Sequence, residues 1–309
     1  MDPLDFSATS TPAQITQATE WLAQAGYRVI RPLEVRALYN DSTPPAKLIT
    51  VAILDTETTG TNTARDKILE LGMVLVEVCP QTGQAYRVQQ VFNELEDPGM
   101  PIPEASTRIH HITDEMVAGK RINDAELESL LATVSLVVAH NAGFDRVFVE
   151  ERFPVFADKA WACSWAQIPW AEEGISSAKL EFLAYSCGFH FTGHRASIDC
   201  HALLEVLQHA LPSGALPMQL QNARLPEIRV SALGAPFEAK DILKERNYRW
   251  NAEKKVWAKS VAKRLFDEEI EWLRVSVYGN QSFRLELEKL TAMNRYSNRS
   301  GVTETLKYD

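Results

Sequence analysis

The chain has 309 residues, of which 45% are hydrophobic and 24% charged, with a formal net charge of −9. The length exceeds the roughly 100 to 200 residues of one ordinary domain, so a sizeable core with an appended unit is expected, and the composition is that of a soluble globular protein. No stretch reaches the roughly 18 apolar residues of a membrane span, MDPLDFSATSTP lacks the pattern of a secretory leader, and the four cysteines are too scattered for a disulfide scaffold or structural zinc, so a cytoplasmic protein without a membrane partner is expected. The acidic total argues at first against a nucleic-acid partner, but residues 1–220 carry −13 and residues 221–309 carry +4, which leaves the C-terminal part basic.

In chain order, PAQITQATEWLAQA predicts a helix over 12–25, opened by Thr11 and Pro12 and stopped by Gly26, with a short strand YRVI behind it. These residues form an N-terminal extension, 1–47, closed by the turn-rich NDSTPPAK. Strands are predicted at 49–56, 68–78 and 85–94, the last two joined as a hairpin across PQTGQ. A helix near 123–132, the strand SLVVAH, a helix from 142, a short strand at WACS and helices near 178–186 and 195–210 follow. Hairpin strands followed by strand–helix alternation imply an α/β domain over 48–212, a mixed sheet covered by helices on both faces. The proline-rich 213–226 is a linker. A small α+β unit over 227–280 comes next, and the polar residues 281–309 are expected to be a tail that frays.

Four acids stand out. ILDTETTG places Asp55 and Glu57 one residue apart at the end of an apolar strand, on the same face as Ile53, where two like charges raise each other's energy unless a cation lies between them. A strand that ends in a polar turn is the plainer account of that pair. Asp199 shares a helical stripe with Leu203, Val206, Leu207 and Ala210, the stripe that should face the sheet, where a bare carboxylate costs several kcal/mol. Asp145 falls in the first turn of the helix opened by Asn141, where the helix dipole alone favours an acid. His194 precedes Asp199 by five residues in FTGHRAS, whereas His140, His190, His201 and His209 carry no such context.

DTETTG, AHNAGFD and HRASID resemble, in order and spacing, the three motifs of the DEDDh 3′-to-5′ exonucleases, which include the epsilon proofreading subunit of bacterial DNA polymerase III. IHHIT at 109–113 is similar to the family's I-H-G-I-T segment, with His111 where glycine is common. The resemblance covers residues 49–210 and implies a ribonuclease H-like fold with a five-stranded sheet. It also implies hydrolysis of phosphodiester bonds from a 3′ end, with release of nucleoside 5′-monophosphates. Oxygen ligands from acids suit Mg²⁺ or Mn²⁺, and two such ions can clamp the attacking and leaving oxygens of an in-line displacement. By the resemblance, Asp55 would bridge both ions, Glu57 and Asp199 would hold the one that activates water, and Asp145 would complete the second site. His194 would take the water's proton as general base. Thr56, Thr58, His110, Asn141 and Phe144 would meet the terminal nucleotide, although Phe144 equally suits a core.

In the C-terminal unit, Arg249, Trp250, Lys254, Lys255 and Trp257 interleave aromatic rings with cations on an expected strand-turn-strand, a pattern that suits single-stranded nucleic acid. The two tryptophans also suit the core of a small module. The expected partner is nucleic acid, with single-stranded DNA bearing a free 3′ end preferred, together with a replication or repair protein. As an appended unit, residues 227–309 should be removable without loss of hydrolysis of a minimal substrate. Two alternatives stay open: a polymerase-associated or nucleic-acid-binding module with little activity of its own, and an exoribonuclease.

Overall fold

The structure, a computed structural model, describes residues 11–218, 225–252, 254–299 and 301–309. The first part runs α1 (Pro12–Gln24), β1 (Arg31–Pro32), β2 (Ile49–Thr58), β3 (Ile68–Val78), β4 (Ala85–Leu95), α2 (Glu104–His110), α3 (Asp114–Val117) and α4 (Asp124–Thr133). It continues through β5 (Val134–Ala139), α5 (Ala142–Arg152), β6 (Trp161–Cys163), α6 (Ser164–Gln167), α7 (Leu180–Ser186), β7 (Phe189–His190) and α8 (Ala196–Leu207).

The expected mixed five-stranded sheet is present in the order β4-β3-β2-β5-β6. β2, β3 and β4 pair antiparallel, while β5 and β6 run parallel to β2. Alternation along β2 sends Val51 and Ile53 to one face, where Val74, Val76, Leu203, Leu204 and Val206 meet them. Ala52 and Leu54 go to the other face, against Leu71, Met73, Leu127, Leu131, Phe148 and Val149. With helices on both faces, β2 and β3 are buried through most of their length and read as continuous apolar runs. Each fully buried aliphatic side chain contributes about 1.5 to 3 kcal/mol.

In the N-terminal extension, Thr11 opens α1 as expected and forms a reciprocal cap with Gln14, yet no residue of α1 is buried. No strand forms at YRVI; the pairing residues are Arg31 and Pro32, which run parallel to Phe189 and His190. The extension is tied down by charge. Arg31 and Arg36 both pair with the buried Glu205 of α8, and Arg28 donates to the carbonyls of Tyr185 and Ser186. Backbone hydrogen bonds from Tyr39 to Tyr86 and from Val88 to Ala37 cover part of the outer edge of β4.

Of the expected linker, residues 219–224 lie outside the described residues. The C-terminal unit contains β8 (Glu227–Leu233), α9 (Lys240–Glu245), β9 (Arg249–Asn251), β10 (Val256–Ala262), α10 (Phe266–Trp272), β11 (Phe283–Leu290) and β12 (Thr303–Tyr308). Its antiparallel sheet has the order β12-β11-β8-β10-β9. The residues expected as a fraying tail therefore supply two of its five strands. Phe283, Leu285 and Leu287 alternate with polar residues in FRLELEKL, the period of a half-buried strand, whereas β12 is an edge strand whose polar side chains give no such signal.

The connection between β11 and β12 returns to the first domain as a strap. The carbonyl of Ala292 accepts the N–H of Trp161 on edge strand β6. Tyr296 packs into the core beneath α5, and Ser297 and Arg299 reach Glu150. Arg146 on α5, fully buried, donates to the carbonyls of Met293 and Arg295 at 2.7 and 2.6 Å and pairs with Glu150 at 2.6 Å. Removing one side of such a buried arrangement costs about 3 to 5 kcal/mol, a large part of the about 5 to 15 kcal/mol that holds a typical protein folded. These contacts argue against the separability expected of an appended unit. A chain ending at residue 226 should be unfolded or insoluble by circular dichroism and size-exclusion chromatography; one that melts with the full-length chain would contradict the strap's role.

Candidate active site

Three elements converge at the end of β2. Asp55 and Glu57 continue the Val51–Ile53 face, and Asp199, in the first turn of α8, lies over that same face. One carboxylate oxygen from each of Asp55, Glu57 and Asp199 lies within 4.8 Å of the others. Asp145 approaches from α5, beneath the opposite face, and its Oδ1 accepts the backbone N–H of Thr56 at 3.1 Å and the hydroxyl of Thr56 at 2.8 Å. The four acids thus straddle the last turnless residues of one strand, beside the carboxyl end of the parallel strand β5, where open α/β sheets carry their ligands.

Burial dominates the titration of the group. It pushes the Asp55 carboxyl well above its usual range, and Asp145, Asp199 and Glu57 push it further. Burial lifts Glu57 to about 8, with Asp199 and Glu70 adding to the rise. Asp145 goes up to about 7 against the hydrogen bonds from Thr56, and Asp199 to about 6 against the backbone N–H of Arg195. Carboxylates gathered this closely are stable as anions only with a cation among them. An all-oxygen acidic donor set of this kind fits a hard divalent cation.

His194 lies just before α8, exposed, with a left-handed backbone (φ 66), and its charge is felt by both Asp199 and His110. His110 is buried at the end of α2. Its Nδ1 accepts the N–H of Ile112, its Nε2 has no hydrogen-bond partner, and burial lowers its pKa. His111 caps α2 with φ 59, so the turn that glycine would favour is made by histidine. Asn141 opens α5 with φ 71 and no side-chain cap; Phe144 is half-buried, 5.0 Å from Phe148; Thr58 donates to the carbonyl of Gly60. His140 bonds Ser164 and the carbonyl of Ala178, a structural role.

Sequence reasoning passed over Glu70. It is fully buried, directly opposite Glu57 in the β2–β3 register, and accepts from Arg195, Ala196 and Asn93. Its signal was an acid between Leu69 and Leu71 in the apolar run of β3.

In the C-terminal unit, Trp250 and Trp257 oppose each other across β9 and β10, with ring centroids 5.5 Å apart. Trp257 packs on the unit's core while Trp250 is 51% exposed. Arg249 points to the opposite face and lines an open groove of about 410 Å³ with Arg229, Asn251, Lys254, Lys259 and Ser260. Lys254, Lys259 and Arg229 are paired with Glu286, Glu269 and Glu288. Among the described residues, Arg249 and the turn residue Lys255 have no acidic partner.

A sequence profile of the exonuclease family matches residues 52–207, half of the chain and all four acids. The chain belongs to the exonuclease family. Related proteins include a DNA polymerase III subunit epsilon of Treponema pallidum, 29% identical over 189 residues, which covers 57% of this exonuclease-family chain and 83% of the relative. A DNA polymerase III subunit epsilon-like protein of Rhodobacter capsulatus is 36% identical over 118 residues, 35% of this chain and 15% of that one. The PolC-type DNA polymerase III of Lacticaseibacillus paracasei is 29% identical over 141 residues, 42% of this chain but only 9% of its own length. Among solved structures, one of exonuclease I aligns with a TM-score of 0.48 at 16% identity, over 69% of this chain and 62% of that one. No helix among the described residues is long and apolar enough to cross a membrane.

The raised carboxyl pKa values set a direction for stability. A group whose folded pKa exceeds its unfolded value stabilises the fold at low pH and loses that contribution as pH rises through the folded value. For Asp199, Asp145 and Glu57 the loss begins near their ordinary values of 3.8, 3.8 and 4.5 and is complete only above about 6, 7 and 8. Metal-free protein should therefore melt at a lower temperature at pH 8.5 than at pH 5.5. Added Mg²⁺ or Mn²⁺ should recover more at the higher pH, and equal recovery at both would contradict this account.

Proposed function

We propose that this chain is a metal-dependent 3′-to-5′ exonuclease that hydrolyses single-stranded DNA from its 3′ end and releases nucleoside 5′-monophosphates. The observation that carries the reading is the Asp55–Glu57–Asp199 oxygen cluster, with Asp145 against Thr56 beneath it, inside a family match that covers half the chain. Asp55, Glu57 and Asp199 would hold one divalent ion, and Asp55 and Asp145 a second. When bound, two Mg²⁺ or Mn²⁺ ions acidify a water and neutralise charge on the phosphate and on the departing oxygen. His194, exposed beside the cluster, would take the proton of the attacking water. A bound cation would favour the ionised form of all four carboxylates, releasing to solvent any protons they still carry. The buried, unpartnered Nε2 of His110 and the half-buried ring of Phe144 support a pocket for the terminal nucleotide. Thr56, Thr58 and Asn141 would border it.

The names of the Treponema and Rhodobacter relatives support a place beside a DNA polymerase, with replication or repair as the setting. For the C-terminal unit, exposed Trp250 and unpaired Arg249 support contact with the strand behind the active site, at about 1 to 3 kcal/mol per stacked base. The paired Lys254 would have to leave Glu286 to join them, and Lys255 and Trp257 flank the same hairpin.

The decisive assay follows 5′-labelled single-stranded DNA and RNA of one sequence with Mg²⁺, Mn²⁺ or chelator. Wild type should give a ladder that shortens one nucleotide at a time, faster on DNA and absent with chelator. Asp55→Ala should lower the rate by roughly 100- to 1,000-fold or more. No cleavage, with a gel shift that survives Asp55→Ala, would favour a binding module instead, and faster loss of RNA would favour an exoribonuclease. In the same assay the double variant Arg249→Ala, Trp250→Ala should raise KM for a long strand and leave a dinucleotide unaffected; an unchanged KM would remove the C-terminal unit from the substrate path.

A further inference from the structure

β3 carries two residues that face the site and belong to no ligand set. By register Glu70 lies opposite Glu57, and Gly72 opposite Asp55, so both share the face on which α8 rests. Gly72 makes room for the helix. A Cβ there would fall 2.5 Å from the carbonyl carbon of Ala196 and 2.6 Å from the nitrogen of Ser197, a contact with rigid backbone. The thiol of Cys200 also donates to the Gly72 carbonyl, so the first turn of α8 lies directly on the strand.

Glu70 supplies the polar half of this seat. It accepts Nε and Nη2 of Arg195 at 3.0 and 2.8 Å and the N–H of Ala196 at 3.1 Å. Asn93 takes up its remaining capacity at 3.0 Å. Its oxygens are therefore spent, which separates it from the three acids that offer free oxygens to one another. Arg195 in turn donates its own backbone N–H to Asp199 at 3.0 Å, and the residue before it is His194 in its left-handed conformation.

The arrangement has an electrostatic cost that a purely structural contact would avoid. The charge of Glu70 raises the energy of ionised Asp55 and Glu57, whereas Arg195 lowers that of Glu57. An apolar pair at these positions would hold the helix without that added repulsion. It would not supply a cation beside Glu57, nor fix the backbone of a residue that bonds Asp199. We propose that Glu70 and Arg195 are positioning residues. Glu70 anchors Arg195, and Arg195 sets the turn that presents His194 and Asp199, against the repulsion that would drive Asp199 away from Asp55 and Glu57. The inference rests on the proposed reading of those acids as the metal site.

The test uses the full chain with Arg195→Met, Glu70→Gln and Arg195→Lys. Folding is checked by circular dichroism, Mn²⁺ binding by calorimetry, and kcat and KM on a labelled oligonucleotide at saturating metal. Arg195→Met and Glu70→Gln should each lower kcat by about 10- to 100-fold and weaken Mn²⁺ binding, with KM for the oligonucleotide within about twofold of wild type. Arg195→Lys keeps the charge without the paired donation and should recover part of the loss, about three- to tenfold below wild type. If Arg195→Met does not fold, the lysine variant decides alone, and wild-type kcat in it overturns the proposal. So does a set of folded variants with lower melting temperature but wild-type kcat and Mn²⁺ affinity. Loss of Mn²⁺ binding in Glu70→Gln but not in Arg195→Met overturns it differently, by making Glu70 a ligand. Wild type that binds no Mn²⁺ sinks the metal-site reading itself, an outcome separate from any of these.

Discussion

Carboxylate repulsion at the end of β2 organises much of what surrounds it. Asp55, Glu57 and Asp199 bring oxygens within 4.8 Å of one another in a place with little water, and Asp145 adds its charge from beneath the strand. Left alone, such a group would protonate or spread apart. The fold opposes spreading from both faces of the sheet. Thr56 gives two hydrogen bonds to Asp145 from the strand itself, and the backbone of Arg195 gives one to Asp199 from the helix start. α5 and α8 are in turn fixed by charges of their own, Arg146 with the carbonyls of Met293 and Arg295 on one and Glu205 with two arginines of the extension on the other. The buried charges outside the site therefore hold the two helices that carry it.

Much of the catalytic half was legible because its signals are local. The strand alternation that put Asp55 and Glu57 on the Ile53 face, and the helical stripe that put Asp199 over that face, depend on residues a few positions apart. The start of α1 at Thr11 and the start of α5 at Asn141 were legible for the same reason. What escaped depends on partners far along the chain. Glu70 is explained by Arg195, 125 residues later, and Arg146 by carbonyls 146 to 149 residues later. β12 escaped because an edge strand with polar side chains carries no periodic signal, and YRVI misled because two residues pair where four apolar-rich ones were available. His111 shows a limit of another kind, since a left-handed turn was kept by a residue that only tolerates it.

The basic balance of the C-terminal residues also changes meaning in three dimensions. A surplus of lysine and arginine in sequence does not guarantee a cationic surface, because Lys254, Lys259 and Arg229 each face an acid in the same sheet or on the helix beneath it. Their first role is internal to a small unit whose apolar core is limited. What the edge hairpin still offers outward is narrower than its composition implies: among the described residues there, the exposed indole of Trp250, the unpaired guanidinium of Arg249 on the opposite face of the edge strand, and a groove between strands.

The strap from 291 to 299 has a consequence for the order of assembly. A ribosome delivers the nuclease motifs by residue 199, long before the carbonyls of Ala292, Met293 and Arg295 exist to receive Arg146 or the N–H of Trp161. During that interval Arg146 on the helix bearing Asp145 has Glu150 but not its carbonyl acceptors, and the sheet has an uncovered edge. Local elements form in microseconds while synthesis adds about 5 to 20 residues per second, so the wait is long on the folding timescale. A segment translated late thus closes the first domain, and the nascent chain passes through a stage in which the four clustered acids are present but their framework is unfinished.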